Sequence, residues 1–233
     1  MRSADVFAVL ALVILALAAT PLFAAGEPLD AILRQFDEVQ REIRTLSADF
    51  TETTESALLT DAIVAEGRVF MTKPDSVRWE YTSPEEMSFV INEDEYTGYF
   101  PLRKQAERRG IHRWREQLFR FLGLGQASEE LAKFYDITLG EENEHSGTHL
   151  LVMNPKKKRV RKRMDPVHFW IDGSTFLPVR VEYRSSTGNH RVIEFAEMAV
   201  NPELATGLYE VELPSDVEVT KGFSALSGFS SSN

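Results

Sequence analysis

Hydrophobic and polar residues alternate along this chain with two different periods. Over residues 29–44, apolar side chains recur every three or four positions with charged residues between them, and Pro28 suits the first helical turn. This spacing predicts an amphipathic helix. Beyond it, Leu46, Ala48 and Phe50 alternate with polar residues, which is the period of two that a half-buried strand shows.

Short segments with the pattern of β-strands follow one another through most of the remaining chain. Turn signals such as Lys73-Pro74 and Asp172-Gly173 separate them. The predicted strands after the first are residues 63–72, 77–81, 87–92, 95–100, 134–139, 148–153, 167–172, 177–184, 191–197 and 208–213, with residues 104–109 as a further candidate. Consecutive short strands with tight turns are typical of an antiparallel sheet rather than of βαβ units.

The middle of the chain interrupts the strand pattern. Residues 111–124 place Ile111, Trp114, Phe119 and Leu122 on one helical face, and glycines follow. A second short helix is predicted within residues 126–133. The fold class is therefore mainly β with α: a curled antiparallel sheet of about eleven strands, an incomplete barrel, covered by the N-terminal helix and a mid-chain helical lid. The pattern leaves open whether the space between them is a filled core or an apolar cavity.

The first 24 residues have the order of an export signal. Arg2 precedes an unbroken apolar run over residues 6–19, and Pro21 with Ala24 and Ala25 follows it. We predict a signal peptide over residues 1–24, with cleavage after Ala24 or Ala25, and hence a periplasmic location. An uncleaved anchor is the alternative, although the run is short for a bilayer. Residues 25–221 are expected to form one domain and residues 222–233 a flexible tail.

Composition narrows the classes of function. The formal net charge is −10, which disfavours nucleic acid as a partner. The chain has no cysteine, so disulfides, cysteine-ligated metals and lipid attachment to a cysteine of this chain are excluded. Stability must come from an apolar core.

Recognisable catalytic or metal-binding motifs are missing from the sequence. It contains no Gly-x-Ser-x-Gly elbow and no phosphate-binding loop. His145 and His149 flank a turn, so zinc between them is only a weak alternative. We predict no enzyme, no metal and no cofactor; a hydrolase remains a weaker alternative because catalytic groups assemble in space.

A basic run spans residues 156–163, where every residue except Val160 is Lys or Arg. One interpretation is a solvated loop or an edge strand whose charge blocks sheet association. The other is a docking surface for an acidic partner or anionic headgroups, with Lys157, Arg159 and Arg161 as its representative residues.

Three segments resemble the LolA family of periplasmic outer-membrane lipoprotein carriers. The most distinctive is Gly67 to Pro84, where a glycine-led strand reaches Lys73-Pro74 and a Trp79-Glu80-Tyr81 strand leads to the second proline. Leu46-Ser47-Ala48-Asp49-Phe50-Thr51-Glu52 is similar to the family pattern after the first helix, and residues 90–105 resemble its next strand pair. In well-known members an arginine stands at the position of Lys73 and holds the lid through backbone carbonyls; lysine can donate there but lacks the planar fork.

The resemblance implies an apolar cavity between sheet and helices that shelters acyl chains. Its implied ligand-binding residues are Phe50, Val69, Lys73, Trp79, Tyr81, Phe89, Ile91, Phe119 and Leu122. A buried methylene is worth about 0.8 kcal/mol, so a chain of roughly fifteen disfavours water by about 12 kcal/mol and needs a carrier to cross it.

The implied function is a monomeric periplasmic carrier that shuttles lipoprotein acyl chains, or a related lipid, between the membranes. Its implied partners are acylated lipoproteins or lipid, an inner-membrane lipoprotein-releasing ABC transporter complex and an outer-membrane acceptor, with no nucleic acid. The alternative is a periplasmic regulatory protein that senses lipid or lipoprotein on the same fold.

Overall fold

The computed structural model describes residues 28–56, 60–112, 127–141 and 145–222. Within them three α-helices are found: α1 (Leu29–Glu42), α2 (Ser128–Ala132) and α3 (Lys158–Arg161). The strands are β1 (Thr45–Glu55), β2 (Ile63–Thr72), β3 (Ser76–Ser83), β4 (Met87–Asn92), β5 (Glu95–Phe100), β6 (Gln105–Gly110), β7 (Tyr135–Leu139), β8 (Thr148–Pro155), β9 (Val167–Asp172), β10 (Pro178–Arg184), β11 (His190–Val200) and β12 (Glu218–Thr220). None of the helices in these ranges is long and apolar enough to cross a bilayer.

All the described strands belong to one open, curled sheet. Their order is β12-β6-β5-β4-β3-β2-β1-β11-β10-β9-β8-β7. Neighbours pair antiparallel except β12, which lies parallel to β6. The predicted mainly β fold with a curled antiparallel sheet is confirmed, with twelve described strands where about eleven were expected.

Two apolar clusters share the inner face of the sheet. Helix α1 lies on the half formed by β8, β9 and β10, where Ile32 and Phe36 are fully buried and the Phe36 ring meets Phe169 edge-on at 6.2 Å. The other cluster collects inward side chains of β1 to β5. Val39 of α1 packs against both clusters, so the helix joins the two halves of the sheet.

Helix α1 ends two residues before the predicted position. Ile43 leaves the helical region with φ −74° and ψ 121°. The backbone N–H groups of Arg44 and Thr45 then donate to Asn201 Oδ1 at 2.7 and 3.3 Å, and Asn201 Nδ2 donates to the Glu42 carbonyl at 2.9 Å. These contacts satisfy backbone groups that a longer helix would have used.

Helix α2 is fixed by α1 rather than by its own side chains. Asp37 of α1 accepts hydrogen bonds from the backbone N–H and the hydroxyl of Ser128, both at 2.6 Å. A carboxylate at this position satisfies an unpaired N–H and complements the positive end of the helix.

The predicted strand over residues 208–213 is wrong. Residues 201–217 instead form a strap with two turns that crosses the outer face, where Tyr209 shares a hydrogen bond with Thr72 at 2.8 Å and the Leu208 carbonyl accepts one from Arg78 at 3.1 Å. The apolar pattern of the segment reflects packing on this face. The strap leads to β12, which pairs with β6 and forms one edge of the sheet.

The predicted mid-chain helix does not begin at Ile111. The Ile111 N–H donates to the Asp94 carbonyl at 2.7 Å, which continues the β5–β6 pairing, and the side chain is fully buried. The rest of the segment predicted as this helix, with Phe119 and Leu122, the predicted signal peptide and residues 223–233 lie outside the described residues.

Candidate functional site

A row of aromatic side chains crosses the inner face of β1, β3, β4 and β5. Phe50 lies with its ring centroid 4.7 Å from Trp79 and 5.0 Å from Tyr81. The row continues to Phe89, 5.9 Å from Tyr81, and Phe89 stacks on Tyr96 at 6.4 Å. These alternating inward positions make one continuous apolar surface.

Gly67 makes the start of this row possible. Phe50 and Tyr81 are both paired with it, on either side of β2. A Cβ at Gly67 would lie 1.9 Å from the Glu80 carbonyl oxygen and 2.7 Å from the Phe50 ring. Without a side chain there, the two aromatic rings meet across β2.

The predicted ligand-binding residues of the described part are brought to one face. Phe50, Val69, Trp79 and Ile91 are buried members of a single cluster, whereas Tyr81 and Phe89 are half-buried and pack against it. The half-buried rings are the members of this set that are accessible to a ligand. Val69, with no exposed surface, acts as packing beneath them.

Lys73 stands at one end of the face and reaches helix α1. Its ammonium group donates to the Gln40 carbonyl, and its backbone N–H donates to the Arg44 carbonyl at 2.8 Å. Partial burial lowers the pKa of Lys73. The side chain therefore ties the turn between β2 and β3 to the last turn of α1.

A polar cluster adjoins the other end of the row. The Tyr81 hydroxyl donates to Glu52 Oε2 at 2.9 Å, and Arg191 Nε lies 3.2 Å from Glu52 Oε1. Burial, and then Glu52, raises the pKa of Tyr81; burial also raises the pKa of Tyr183. Burial opposes the charge of Arg191, but Glu52 and the two tyrosines outweigh it and raise the pKa of the guanidinium.

The outer face carries a groove of different character. It has a volume of about 490 Å³ and its lining is mixed, with polar residues such as Asp49, Arg68 and Thr82 beside apolar surface of Phe50 and Ala196. Asp49 and Arg68 form an exposed ion pair across it at 3.0 Å. This groove of mixed lining on the outer face is distinct from the apolar cavity that the family resemblance implied between the sheet and the helices.

The basic run is an exposed connection between two strands, as the solvated-loop interpretation expected, and not an edge strand. Residues 158–161 form the single turn of α3, which connects β8 to β9. Lys157, Arg159 and Arg161 are exposed, and Arg161 also donates to the carbonyls of Pro155 and Lys156 at 3.2 and 3.1 Å. These bonds hold the turn so that the other cations project into solvent.

Within the described residues, no group of three or more His, Asp or Glu side chains is arranged to hold a metal ion. The two histidines weighed for zinc lie on different sides of the sheet. His149 stacks on Phe176 of the inner cluster at 5.8 Å, while His145 meets Trp170 edge-on at 5.4 Å.

Comparison with known protein families matches residues 41–212 to the outer membrane lipoprotein carrier protein LolA. The chain belongs to this LolA family. The outer-membrane lipoprotein carrier protein of Neisseria meningitidis serogroup C is 24% identical to it over 187 residues, which cover 80% of this chain and 84% of that relative. The serogroup A protein matches equally.

A solved structure shares the fold of this LolA family member at low identity. An uncharacterized conserved protein from Thermus thermophilus superposes with a TM-score of 0.53 at 15% identity, over 82% of this chain and 97% of that one. A LolA superfamily protein from Nitrosomonas europaea gives a TM-score of 0.40 at 13% identity, over 79% and 98%.

Sequence reasoning missed three residues of the polar cluster in this LolA family member: Glu52, Tyr183 and Arg191. A signal was present for Glu52, because it occupies the inward position after Leu46, Ala48 and Phe50. A charged residue at an inward position of a half-buried strand calls for a partner. That partner, Arg191, is 139 positions away and could not be identified from local pattern.

Proposed function

We propose that this protein is a periplasmic carrier that shelters lipoprotein acyl chains, or a related lipid, and shuttles them from the inner to the outer membrane. The observation that carries the proposal is the aromatic row with its accessible rings, Tyr81 and Phe89, on the inner face of a LolA-family sheet. The family relationship supports a binding protein rather than an enzyme. We also propose that residues 1–24 are the export signal and that residues 25–221 form the lipid-binding domain.

Lipid binding is the first test. Native mass spectrometry of the purified protein should show bound lipid, and a fluorescent fatty acid should be displaced by acylated lipoprotein without turnover of either. Phe89→Ser should weaken binding roughly tenfold, because removing the ring takes away most of a large apolar contact. Phe70→Ser is the matched control: Phe70 is also half-buried but lies on the other face of β2. A protein that is empty and binds no probe would overturn the proposal.

Transfer distinguishes the carrier from the sensor. A carrier should move acylated lipoprotein from donor vesicles holding the inner-membrane ABC transporter complex to an outer-membrane acceptor, and it should remain a monomer. A protein that binds lipid and fails to move it, yet captures the periplasmic part of a membrane regulator, would be the lipid-sensing alternative.

We further propose that the exposed cations of α3 dock the protein on anionic phospholipid headgroups. Lys157, Arg159 and Arg161 are exposed on a single turn, and among the described residues Asp136 lies 3.6 Å from Lys156 of the run. In a chain of net charge −10, such a turn is a local positive site. A solvated cluster without a shaped pocket suits a diffuse anionic surface better than one specific carboxylate.

Vesicle co-sedimentation tests this docking surface. The wild type should bind vesicles that contain phosphatidylglycerol and should bind neutral phosphatidylcholine vesicles poorly, with binding lost at high salt. Reversing Lys157, Arg159 and Arg161 to Glu should lower the affinity by more than roughly 100-fold, because the loss of three positive charges at about 1 kcal/mol each already accounts for that factor and the new carboxylates add repulsion. Reversal of the exposed Arg41, Arg109 and Arg184 changes the net charge equally and should have a smaller effect. Equal losses in both variants, or no preference for anionic vesicles, would refute the assignment and favour an acidic protein partner or a solvated turn.

A further inference from the structure

Four polar side chains cross the inner face of the sheet directly beside the aromatic row. They come from four strands: Tyr81 from β3, Glu52 from β1, Arg191 from β11 and Tyr183 from β10. Glu52 links Tyr81 to Arg191. Its Oε2 accepts a hydrogen bond from the Tyr81 hydroxyl at 2.9 Å, and its Oε1 lies 3.2 Å from Arg191 Nε. Tyr183 pairs with Arg191 in the register of β10 and β11.

Stability alone does not account for this cluster. Glu52 is only 7% exposed, and burying an ion pair costs desolvation that its attraction seldom repays. Apolar residues of similar volume at these positions would extend the core on both sides. The Arg191 side chain is nevertheless 28% exposed, so the charged cluster is reachable from one side.

The cluster and the aromatic row are continuous through Tyr81. Its ring is 5.0 Å from Phe50 and 5.9 Å from Phe89, while its hydroxyl is bonded to Glu52. A ligand with an apolar tail on the rings would thus bring its polar end to Glu52 and Arg191. The site therefore places an apolar surface next to a polar one, which matches the tail and the polar end of an amphiphilic ligand.

The charges and hydrogen-bonding groups of the cluster favour some polar groups at the end of a ligand over others. Arg191 is a donor and Glu52, when ionised, is an acceptor, so the pair matches a neutral group that can both accept and donate. A carboxamide does both. A free carboxylate could accept from Arg191 but would face the charge of Glu52, and like charges at this distance repel in a buried site.

We infer that the cluster of Tyr81, Glu52, Arg191 and Tyr183 binds the neutral amide end of an N-acylated ligand and discriminates against free fatty acids. The inference rests on the proposed lipid-carrier function and adds its selectivity. Glu52 is the residue that sets the preference, Arg191 donates to the carbonyl oxygen of the ligand, and Tyr81 positions the Glu52 carboxylate.

Displacement of a fluorescent lipid by two twelve-carbon probes tests this selectivity. Dodecanamide should displace the probe from wild type at a roughly tenfold lower concentration than dodecanoate does, the size of one charge-assisted hydrogen bond. Glu52→Gln should remove the preference by improving dodecanoate binding. The control Glu66→Gln changes the same chemical group on the outer, exposed side of β2 and should keep the preference.

Tyr81→Phe provides a second variant if Glu52→Gln does not fold. It keeps the ring of the row, removes the hydroxyl that orients Glu52, and should reduce the preference for the amide while still binding the fluorescent lipid. Equal displacement by both probes in wild type would overturn the selectivity and leave the carrier function standing. Failure of the fluorescent lipid itself to bind would instead overturn the proposed function.

Discussion

At the residue scale, single side chains decide whether the inner face is continuous. Gly67 has no Cβ, so Phe50 and Tyr81 meet across β2. Lys73 closes one end of that face against α1, and Glu52 introduces charge at the other end. Each of these effects depends on what lies opposite the residue and not on the residue type alone.

The Gly67→Ala substitution should destabilise the protein. Its Cβ would overlap the Glu80 backbone oxygen, which cannot rotate away, so β2 or β3 must shift. We expect a loss of roughly 2 kcal/mol in the free energy of unfolding, measured by urea denaturation. Gly110→Ala is the matched control, because no atom lies within 4 Å of the added methyl and the change should be close to neutral. Equal losses would contradict this account of Gly67.

Replacing Lys73 should change cargo exchange without unfolding the protein. Lys73→Leu removes the donor to the Gln40 carbonyl and should alter the rate of lipid uptake or release in the transfer assay. Lys73→Arg should retain the contact, because the guanidinium offers several donors. Lys133→Leu, at an exposed position just after α2, is the control. Unchanged transfer by Lys73→Leu would remove this residue from the site.

At the element scale, ends and turns are fixed by side chains that reach backbone groups. The turn between β9 and β10 is organised by Asp172, whose Oδ1 accepts from the N–H groups of Ser174 and Thr175 at 3.0 and 2.7 Å and from their hydroxyls. The hairpin predicted at Asp172-Gly173 is confirmed by the antiparallel pairing of β9 with β10. Asp37 plays a comparable part at α2.

Asp172 should make stability depend on pH in the acid range. The hydrogen bonds of Ser174 and Thr175 lower its pKa from 3.8 to about 2 in the folded protein. Because the unfolded chain binds the proton more tightly, the stabilisation is complete above about pH 4 and is lost as the pH falls towards 2.

The measurement compares wild type with Asp172→Asn by urea denaturation across this range. We expect the variant to be less stable by about 1 kcal/mol at pH 6, since its bonds are no longer charge-assisted, and the difference to shrink as the pH falls through 2 and to disappear below it. A difference independent of pH would show that the carboxylate charge contributes nothing to the turn.

At the scale of the whole molecule, segments distant in sequence hold the sheet together. Asn201, at the start of the strap, binds the backbone of Glu42, Arg44 and Thr45, and so joins the end of α1 to the beginning of β1. The strap then passes Thr72 and ends in β12 beside β6. It spans the sheet from β11 to the far edge.

Removing the Asn201 side chain should therefore lower global stability. Its φ of 55° is one that glycine adopts freely, so Asn201→Gly isolates the loss of the side-chain hydrogen bonds. We expect a loss of about 1–2 kcal/mol in the free energy of unfolding. Glu197→Gly, at a comparable φ of 48° on exposed β11, should be neutral or slightly stabilising. An equal loss at both positions would assign the effect to backbone entropy.

The sequence by itself determined the elements whose signals are local. The bounds of Ile63–Thr72, Met87–Asn92, Glu95–Phe100 and Val167–Asp172 agree between pattern and structure, because side-chain alternation and turn residues act over a few positions. The motif from Gly67 to Pro84 likewise indicated the family. These features depend on neighbours along the chain.

Only the tertiary structure decided the features that depend on distant partners. The pattern at residues 208–213 fits a strand, yet the segment became a strap because the outer face of β2 and β3 offers Thr72 and Arg78. In the sequence Glu52 is an isolated charge at an inward position, and only the pairing of β1 with β11 places Arg191 beside it. Alternation along a strand specifies which side chains point inward, but the order of strands in the sheet specifies which of them meet.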